Sequence, residues 1–444
     1  MRPVSAIFVL LLICAPVHLV WGGDAPAGAI GVGDEVVIMA DGPGKSRRGA
    51  PAVAFGKDGC IVVWREGWQG ERGSSRIHAV RVGLDGKVLS ARGIEIAPCQ
   101  TGVQENPRVA FFPSTGSGQA GGVFLVVWQD MRNGKDCDVL GARVSPEGSV
   151  LDAQPLAIAT GPRTQTMPDV AADDKGFMVV WHAFQGEETT PKVFATRVGA
   201  DGTVAQPSTL ADGSSPRIAW NGEAHLVTWF DARMSGDRLM ASIRFLRMDA
   251  AGKRLPSPPG REPSFPYRHS RQVSICGVPG KGWVLVCART LPDFWGWSGP
   301  GAQRLFSITP EGKLAADSPS EQYYDAKTRK TTVPANWLDS SIDKKGVRPW
   351  GGSALAADGQ RCIAVWQRYH TGGPTGIELV NGDILASRVD GWKPLDKDGV
   401  VVTASAANER NPALAGNGDG KLLCAYERVE DGRTGIVVRT LQTQ

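Results

Sequence analysis

Three kinds of side chain in this 444-residue sequence could take part in chemistry: carboxylates followed closely by arginine, an aspartate set among aromatic residues, and arginines that recur ahead of short apolar segments. Asp130 and Asp231 both stand in the pattern Asp-x-Arg, with Arg132 and Arg233 two residues on. Asp293 stands in "LPDFWGW" ahead of Phe294, Trp295 and Trp297, and Tyr323 and Tyr324 stand in "EQYYD". Paired carboxylates act as general acid and base on glycosidic bonds, and a tyrosine beside a base can serve as a nucleophile. Asp130, Asp231 and Asp293 are therefore candidate acids, and Tyr323 and Tyr324 candidate nucleophiles. Asp130 and Asp231, however, belong to one repeated phrase, "VVWQDMR" and "VTWFDAR", and a catalytic residue has no reason to be repeated. The repetition favours an Asp–Arg ion pair that stabilises a turn in each copy.

Arg48, Arg268, Arg271, Arg348 and Arg410 each precede or open a short apolar segment. Guanidiniums gathered in this way suit an anionic ligand such as a carboxylate or a sulfated sugar, and pairing with Asp130, Asp231 or Glu409 is the competing use of them. Metal chemistry has little to work with. His78, His182, His225, His269 and His370 form neither an HExxH motif nor a pair at ligand spacing. "DKDG" at 396–399 and "GNGDG" at 416–420 resemble fragments of calcium loops with too few ligands, so no metal and no cofactor is expected. Of the eight cysteines, Cys14 lies in the N-terminal apolar run, and the other seven are scattered without a CxxC. Cys276 and Cys287 flank "GVPGKG" and could face each other across a hairpin. Cys60 and Cys362 share one position in "CIVVW" and "CIAVW" and read as buried strand residues.

Composition bounds the rest. The chain is 21% charged and 42% hydrophobic, enough for a large core. Lys plus Arg number 49 against 45 Asp plus Glu, without a long run of one sign, which removes the electrostatic footprint of a nucleic-acid binder. The first residues run from one arginine through an apolar stretch, Val4 to Val20, to small residues, the layout of a secretory signal peptide cut near Gly22 or Gly23. A membrane anchor is the competing reading of this stretch, which is nearly long enough to span a bilayer. Lipidation of Cys14 is disfavoured by the bulky Ile13 before it. With the signal (residues 1–23) removed, no stable membrane insertion is expected, and the protein is placed in the periplasm, at the cell surface or outside the cell.

The elements that must position the candidate residues come from a repeat. "CIVVWRE", "FLVVWQD", "FMVVWHA", "HLVTWFD" and "CIAVWQR", with the degenerate "VLVCART" and "LLCAYER", recur at a mean spacing of about 60 residues between Trp64 and Tyr426. Upstream of each lies a segment such as "NPRVAF", "SPRIAW" or "NPALAG", and downstream a strand ending in a turn, such as "GARVSPEG" or "ATRVGADG". A fourth apolar stretch, such as "EIAPC" or "VVVTAS", follows most turns. In "FLVVW" successive side chains point to opposite faces and both sets are apolar, so the strand must lie between two other sheets. Seven units of four short antiparallel strands, starting near 49, 105, 166, 214, 270, 351 and 410, predict an all-β fold, a seven-bladed β-propeller over residues 34–444. A six-bladed ring with one unit lost is the alternative, since the fifth unit is the most degenerate. The seventh unit stops after three strands, and the orphan "DEVVIMAD" at 34–41 resembles the fourth strand "DGVVVTAS" at 398–405, so the N-terminal strand is expected to complete the last blade.

On these residues the chain resembles secreted bacterial β-propeller proteins whose unit reads P-x-[VIL]-A, [LI]-V-V-W-x-D-x-R and R-V-x-x-D-G. The resemblance covers nearly all of the mature chain and implies a fold and an exported location, with no established reaction. Sialidase-like propellers are the nearest enzyme comparison, but their S-x-D-x-G-x-x-W turn motif does not occur here.

In such a ring, the loops from second to third strand and those between blades open on one face. The fifth unit lengthens both, at 289–303 and 320–352, and unit four adds "PSPPGREPSFPYRHSR". Long irregular loops are commonly functional. These carry Trp295, Trp297, Tyr323, Tyr324, Trp337 and Trp350, whose faces suit sugar rings, together with Asp293, Arg268, Arg271 and Arg348. The expectation is an exported module that binds a glycan or a cell-surface protein through this face. A carbohydrate-active hydrolase or lyase and a purely structural scaffold are the alternatives.

Overall fold

The computed structural model describes residues 29–39, 46–68, 74–90, 93–98, 102–113, 121–184, 190–235, 238–258, 264–266, 273–288, 291–292, 298–299, 303–315, 323–325, 330–332, 338, 352–372, 378–396 and 398–444. They form a seven-bladed β-propeller, and no helix occurs among them. Blade 2 shows the pattern: Gln104–Phe112, Val123–Asp130, Asp138–Val144 and Leu156–Ala159 pair in sequence order as one antiparallel sheet. Blades 1, 3, 4 and 6 repeat it, with first strands Ser46–Phe55, Gln165–Ala172, Ser214–Trp220 and Ser353–Ala357.

The apolar run of each second strand does what a doubly covered strand requires. In Cys60–Trp68, Ile61 and Val63 pack toward blade 2, while Cys60, Val62 and Trp64 pack toward blade 7. The described residues contain seven buried apolar clusters, each shared by two neighbouring blades, and that number closes the ring. Each cluster removes the apolar faces of two sheets from water, the dominant favourable term in folding.

Blade 7 takes three strands, Asn408–Gly416, Lys421–Glu430 and Arg433–Gln442, from one end of the chain, and Gly31–Met39 from the other. The N-terminal strand runs antiparallel to Arg433–Gln442, with Val36 opposite Val438 and Met39 opposite Ile436. Side chains reinforce the ladder. Glu35 receives Arg428 through Nη1 at 2.6 Å and Nη2 at 2.5 Å, and the Tyr426 hydroxyl donates to it at 3.2 Å. The Arg428 guanidinium beside it holds the Glu35 carboxyl below the usual range against the opposing effect of burial.

Blade 5 departs from the pattern. Val273–Val278, Gly282–Ala288 and Gln303–Ile308 form a three-stranded sheet. The fourth strand is represented by Leu338, whose amide donates to Gln303 O at 3.2 Å as Ile96 N does to Ile77 O in blade 1. Leu338 is buried at the seam with blade 6. The second insertion is therefore divided, against the expectation that 320–352 lies as a whole on the loop face. Among its described residues, Leu338 joins the third strand, and Tyr323–Asp325 pairs with Lys330–Thr332 in a small hairpin.

The hairpin of blade 5 also corrects the expected cysteine pair. Its register sets Cys276 opposite Val284 and Cys287 opposite Val273. The two thiols also belong to different clusters, one facing blade 6 and the other blade 4, so they lie on opposite faces of the sheet.

Candidate functional site

The first strands of all seven blades surround a cavity of about 770 Å3 on the ring axis. Its shape comes from one backbone device used five times. Ala50, Asn106, Met167, Ser215 and Asn411, each directly before the proline of the P-x-h-A segment, have positive φ between 50° and 54°. At each the ladder to the second strand skips one residue, between Gly49 and Ala52, Glu105 and Arg108, Thr166 and Asp169, Ser214 and Arg217, and Arg410 and Ala413. Left-handed backbone is uncommon for residues with a Cβ and is further disfavoured before proline, so neighbouring contacts must hold it.

Those contacts come from the preceding blade, from the residue just after the second-strand aromatic. Glu427 Oε1 accepts the Ala50 amide at 2.8 Å, Gln129 Oε1 the Met167 amide at 2.9 Å, and His182 Nδ1 the Ser215 amide at 3.2 Å. Arg65 reaches Glu105 at 3.3 Å at the equivalent seam. A ring of such clasps fixes the channel mouth.

The bulge leaves the residue after each proline lining the channel, and here the seven blades differ. Blades 2, 3 and 4 present Arg108, Asp169 and Arg217, whereas blades 5, 6, 7 and 1 present Ser274, Ala354, Ala413 and Ala52. At this position one arc is charged and the other small, while Arg48, Arg65, Glu105, Arg410 and Glu427 also line the cavity. Arg108 Nε lies 3.7 Å from Asp169 Oδ1 and its Nη1 donates to Pro107 O at 2.9 Å. Arg217 donates to two carbonyls, Val273 O at 3.2 Å and Pro216 O at 3.4 Å. Asp169 Oδ2 accepts the Ile218 amide at 3.0 Å, which fixes the carboxylate between the two guanidiniums. Loss of water and then the nearby Arg217 push the Arg108 pKa down to about 10, with Asp169 opposing. The arc therefore holds two positive charges against one negative one, with most guanidinium donors unspent. The Ser274 hydroxyl donates to Ser353 O at 2.6 Å and so faces a carbonyl rather than a base.

The carboxylates proposed as acids from sequence have structural employment. Asp130 is buried, takes both a side-chain fork and the backbone amide of Arg132 at 2.7–2.9 Å, and accepts Trp128 Nε1 at 2.8 Å. The expected Asp–Arg turn pair is present there. Asp231 is ion-paired with Arg244 of the adjoining third strand. Arg48 is buried against Glu66 at 3.2 Å, and Arg410 meets Glu427 at 2.7 Å, so the entrance arginines pair with carboxylates other than those anticipated. Glu409 instead holds Arg428 at 3.0 Å.

Asp293, Trp295, Trp297, Arg268, Arg271, Arg348 and Trp350 lie outside the described residues. Tyr323 and Tyr324 are described as backbone of the blade 5 hairpin alone. Arg108, Asp169 and Arg217 stand at a variable letter of the repeat, whereas its invariant letters mark the strands. Their signal was the variable letter after proline in "NPRVA", "MPDVA" and "SPRIA".

No family model and no curated protein matches the sequence. Some solved structures are similar at low identity. A protein of unknown function from Dyadobacter fermentans DSM 18053 is 14% identical, with a TM-score of 0.43 over 94% of this chain and 99% of that one. The ectodomain of the parainfluenza virus 5 hemagglutinin-neuraminidase is 8% identical, with a TM-score of 0.44 over 94% of this chain and 86% of that one. Trypanosoma rangeli sialidase in complex with 2,3-difluorosialic acid is 10% identical, with a TM-score of 0.43 over 81% of this chain. The match spans 56% of that sialidase, little more than half its length. These likenesses concern the arrangement of strands and carry nothing to the channel.

Proposed function

We propose that the protein is an exported, non-catalytic binding propeller that takes an anionic ligand, such as an acidic sugar, into the mouth of its channel. The observation that carries this reading is the arc Arg108–Asp169–Arg217 in the wall of the axial cavity. Charge counting selects the ligand. Arg48, Arg65, Arg108, Arg217 and Arg410 stand against Glu105, Asp169 and Glu427 in the cavity wall, an excess of positive charge that suits an anion. Relief of the repulsion between Arg108 and Arg217 adds to the attraction. The ion pairs of Asp130 and Asp231 favour binding over hydrolysis. Arg268, Arg271, Arg348 and Trp350 precede first strands, and Asp293, Trp295 and Trp297 lie between a second and a third strand. Export rests on the N-terminal segment, and among the described residues no helix is long and apolar enough to cross a membrane.

Isothermal titration with a uronic-acid oligosaccharide, its neutral methyl ester and inorganic phosphate tests the reading. The uronate should bind and the ester should not. Arg217→Ala should weaken the uronate by roughly 10-fold or more, the loss of one charge-assisted contact. Equal binding of acid and ester, or an unaltered Kd in Arg217→Ala, would refute it.

A further inference from the structure

The final residue of the P-x-h-A segment faces the seam with the next blade. Six units carry alanine there, Ala54, Ala110, Ala171, Ala219, Ala356 and Ala415, and the fifth carries Cys276. Across the seam stands the first apolar residue of the next second strand. Ala54 shares its cluster with Phe124, Ala110 with Phe177, and Ala356 with Leu422. Ala219 O accepts Trp283 Nε1 directly at 3.1 Å. Cys60 holds this second position in blade 1 and is packed in the cluster that includes Ala415. At the seam between blades 5 and 6 both positions are cysteine, Cys276 and Cys362, in one buried cluster. Each thiol donates to a carbonyl beside it, Cys276 to Gly277 O at 3.3 Å and Cys362 to Ile363 O at 3.7 Å. Of the two seams whose second-strand position is cysteine, this is the one where alanine has also become cysteine.

We propose that Cys276 and Cys362 form a disulfide that staples blade 5 to blade 6. This seam has lost other fastenings. Cys287 replaces the second-strand aromatic, and Ala288 stands where other blades place a clasping Glu, Gln or His. A covalent link that closes a long loop compensates by narrowing the unfolded ensemble. The proposal rests on the exported location, because the link persists only in an oxidising compartment. In the reaction each thiol gives up its proton, and the two sulfurs together pass two electrons to a disulfide oxidant such as oxidised glutathione. The oxidant's S–S bond breaks to give two thiols as the protein S–S bond forms. Cys362 is fully buried and Cys276 nearly so, and burial raises the Cys362 thiol well above its ordinary range. The bond therefore forms while the blades assemble, before the seam excludes the oxidant.

Denatured protein refolded in a glutathione redox buffer, alkylated and digested should yield a Cys276–Cys362 linked peptide by mass spectrometry. Cys60, whose counterpart is Ala415, should be recovered alkylated. Reduction of the folded, linked protein should lower its Tm by about 5 °C. Cys276→Ala restores the residue of the other six units, so it should fold, show no linked peptide and match the Tm of the reduced protein. Absence of the linked peptide after refolding would overturn the geometry. Free thiols at both positions in the protein as exported, despite linkage on refolding, would overturn the bond as a native feature.

Discussion

His182 accepts the Ser215 amide through Nδ1 at 3.2 Å while its Nε2 meets the Thr166 hydroxyl at 3.1 Å, and only the neutral imidazole can do both. Burial holds its pKa down at about 4 from an ordinary 6.5, so the folded chain keeps it neutral where the unfolded chain would protonate it. The sign follows: the clasp contributes fully above pH 6.5 and is lost as pH falls toward 4. His225, at the same seam, meets Asp173 Oδ2 through Nε2 at 2.7 Å and is likewise held low by burial, so it adds to the acid sensitivity. Gln129 fills the His182 position in blade 2 without a titrating group. His182→Gln should leave stability at pH 7 unchanged and add roughly 2 kcal/mol at pH 4 relative to the native protein. Urea titrations at both pH values measure this, and identical acid losses in the two proteins would contradict the assignment. The sequence spelled out the neighbours of this residue, the tryptophan and the Asp or Glu of "VVWxD", because they repeat. It hid the clasp, because Glu427, Gln129 and His182 do one job with three chemistries.

Strands were the most legible elements, since five apolar residues in a row with both faces buried leave few alternatives to a sheet between sheets. The closing strand was legible from its likeness to another fourth strand, and Gly31–Met39 does complete blade 7. Removal of residues 29–39 takes away Ile30, Ile38, the Glu35 ion pairs and a whole ladder. The loss should cost roughly 5 kcal/mol or more, seen as a lower Tm by circular dichroism. An unchanged melting curve would show that the ring does not depend on this strand. Less was legible where the chain opposes its own local preferences. Positive φ before proline is against the usual bias, so five bulges that shape the channel left no trace in the pattern. Leu338, which takes the fourth-strand place in blade 5, stands within a long insertion whose sequence shows no period. The register that parts Cys276 from Cys287 depends on turn geometry, which spacing alone does not fix.

At the scale of the whole molecule, all six described cysteines lie buried in or beside the seams. Burial pushes Cys137 up to about 11 and Cys424 up to about 12, far from the thiolate that reagents attack. Iodoacetamide at pH 8 should therefore leave Cys60, Cys137, Cys287 and Cys424 unlabelled in the native protein and label them all after unfolding, as peptide mapping would show. Native labelling of Cys60 or Cys424 as fast as in the unfolded chain would mean that the seams around blades 7 and 1 open readily. The ring form was readable from the repeat. The charged arc of its channel was not, because it exists only when blades 2, 3 and 4 stand side by side. The Glu35–Arg428 contact joins residues 393 apart in sequence. During synthesis, then, six blades can be complete while the seventh does not yet exist, and each end of the growing arc shows a sheet face with no neighbour. Maturation cannot proceed from one end alone, and the last folding event must wait for the last strand to be made.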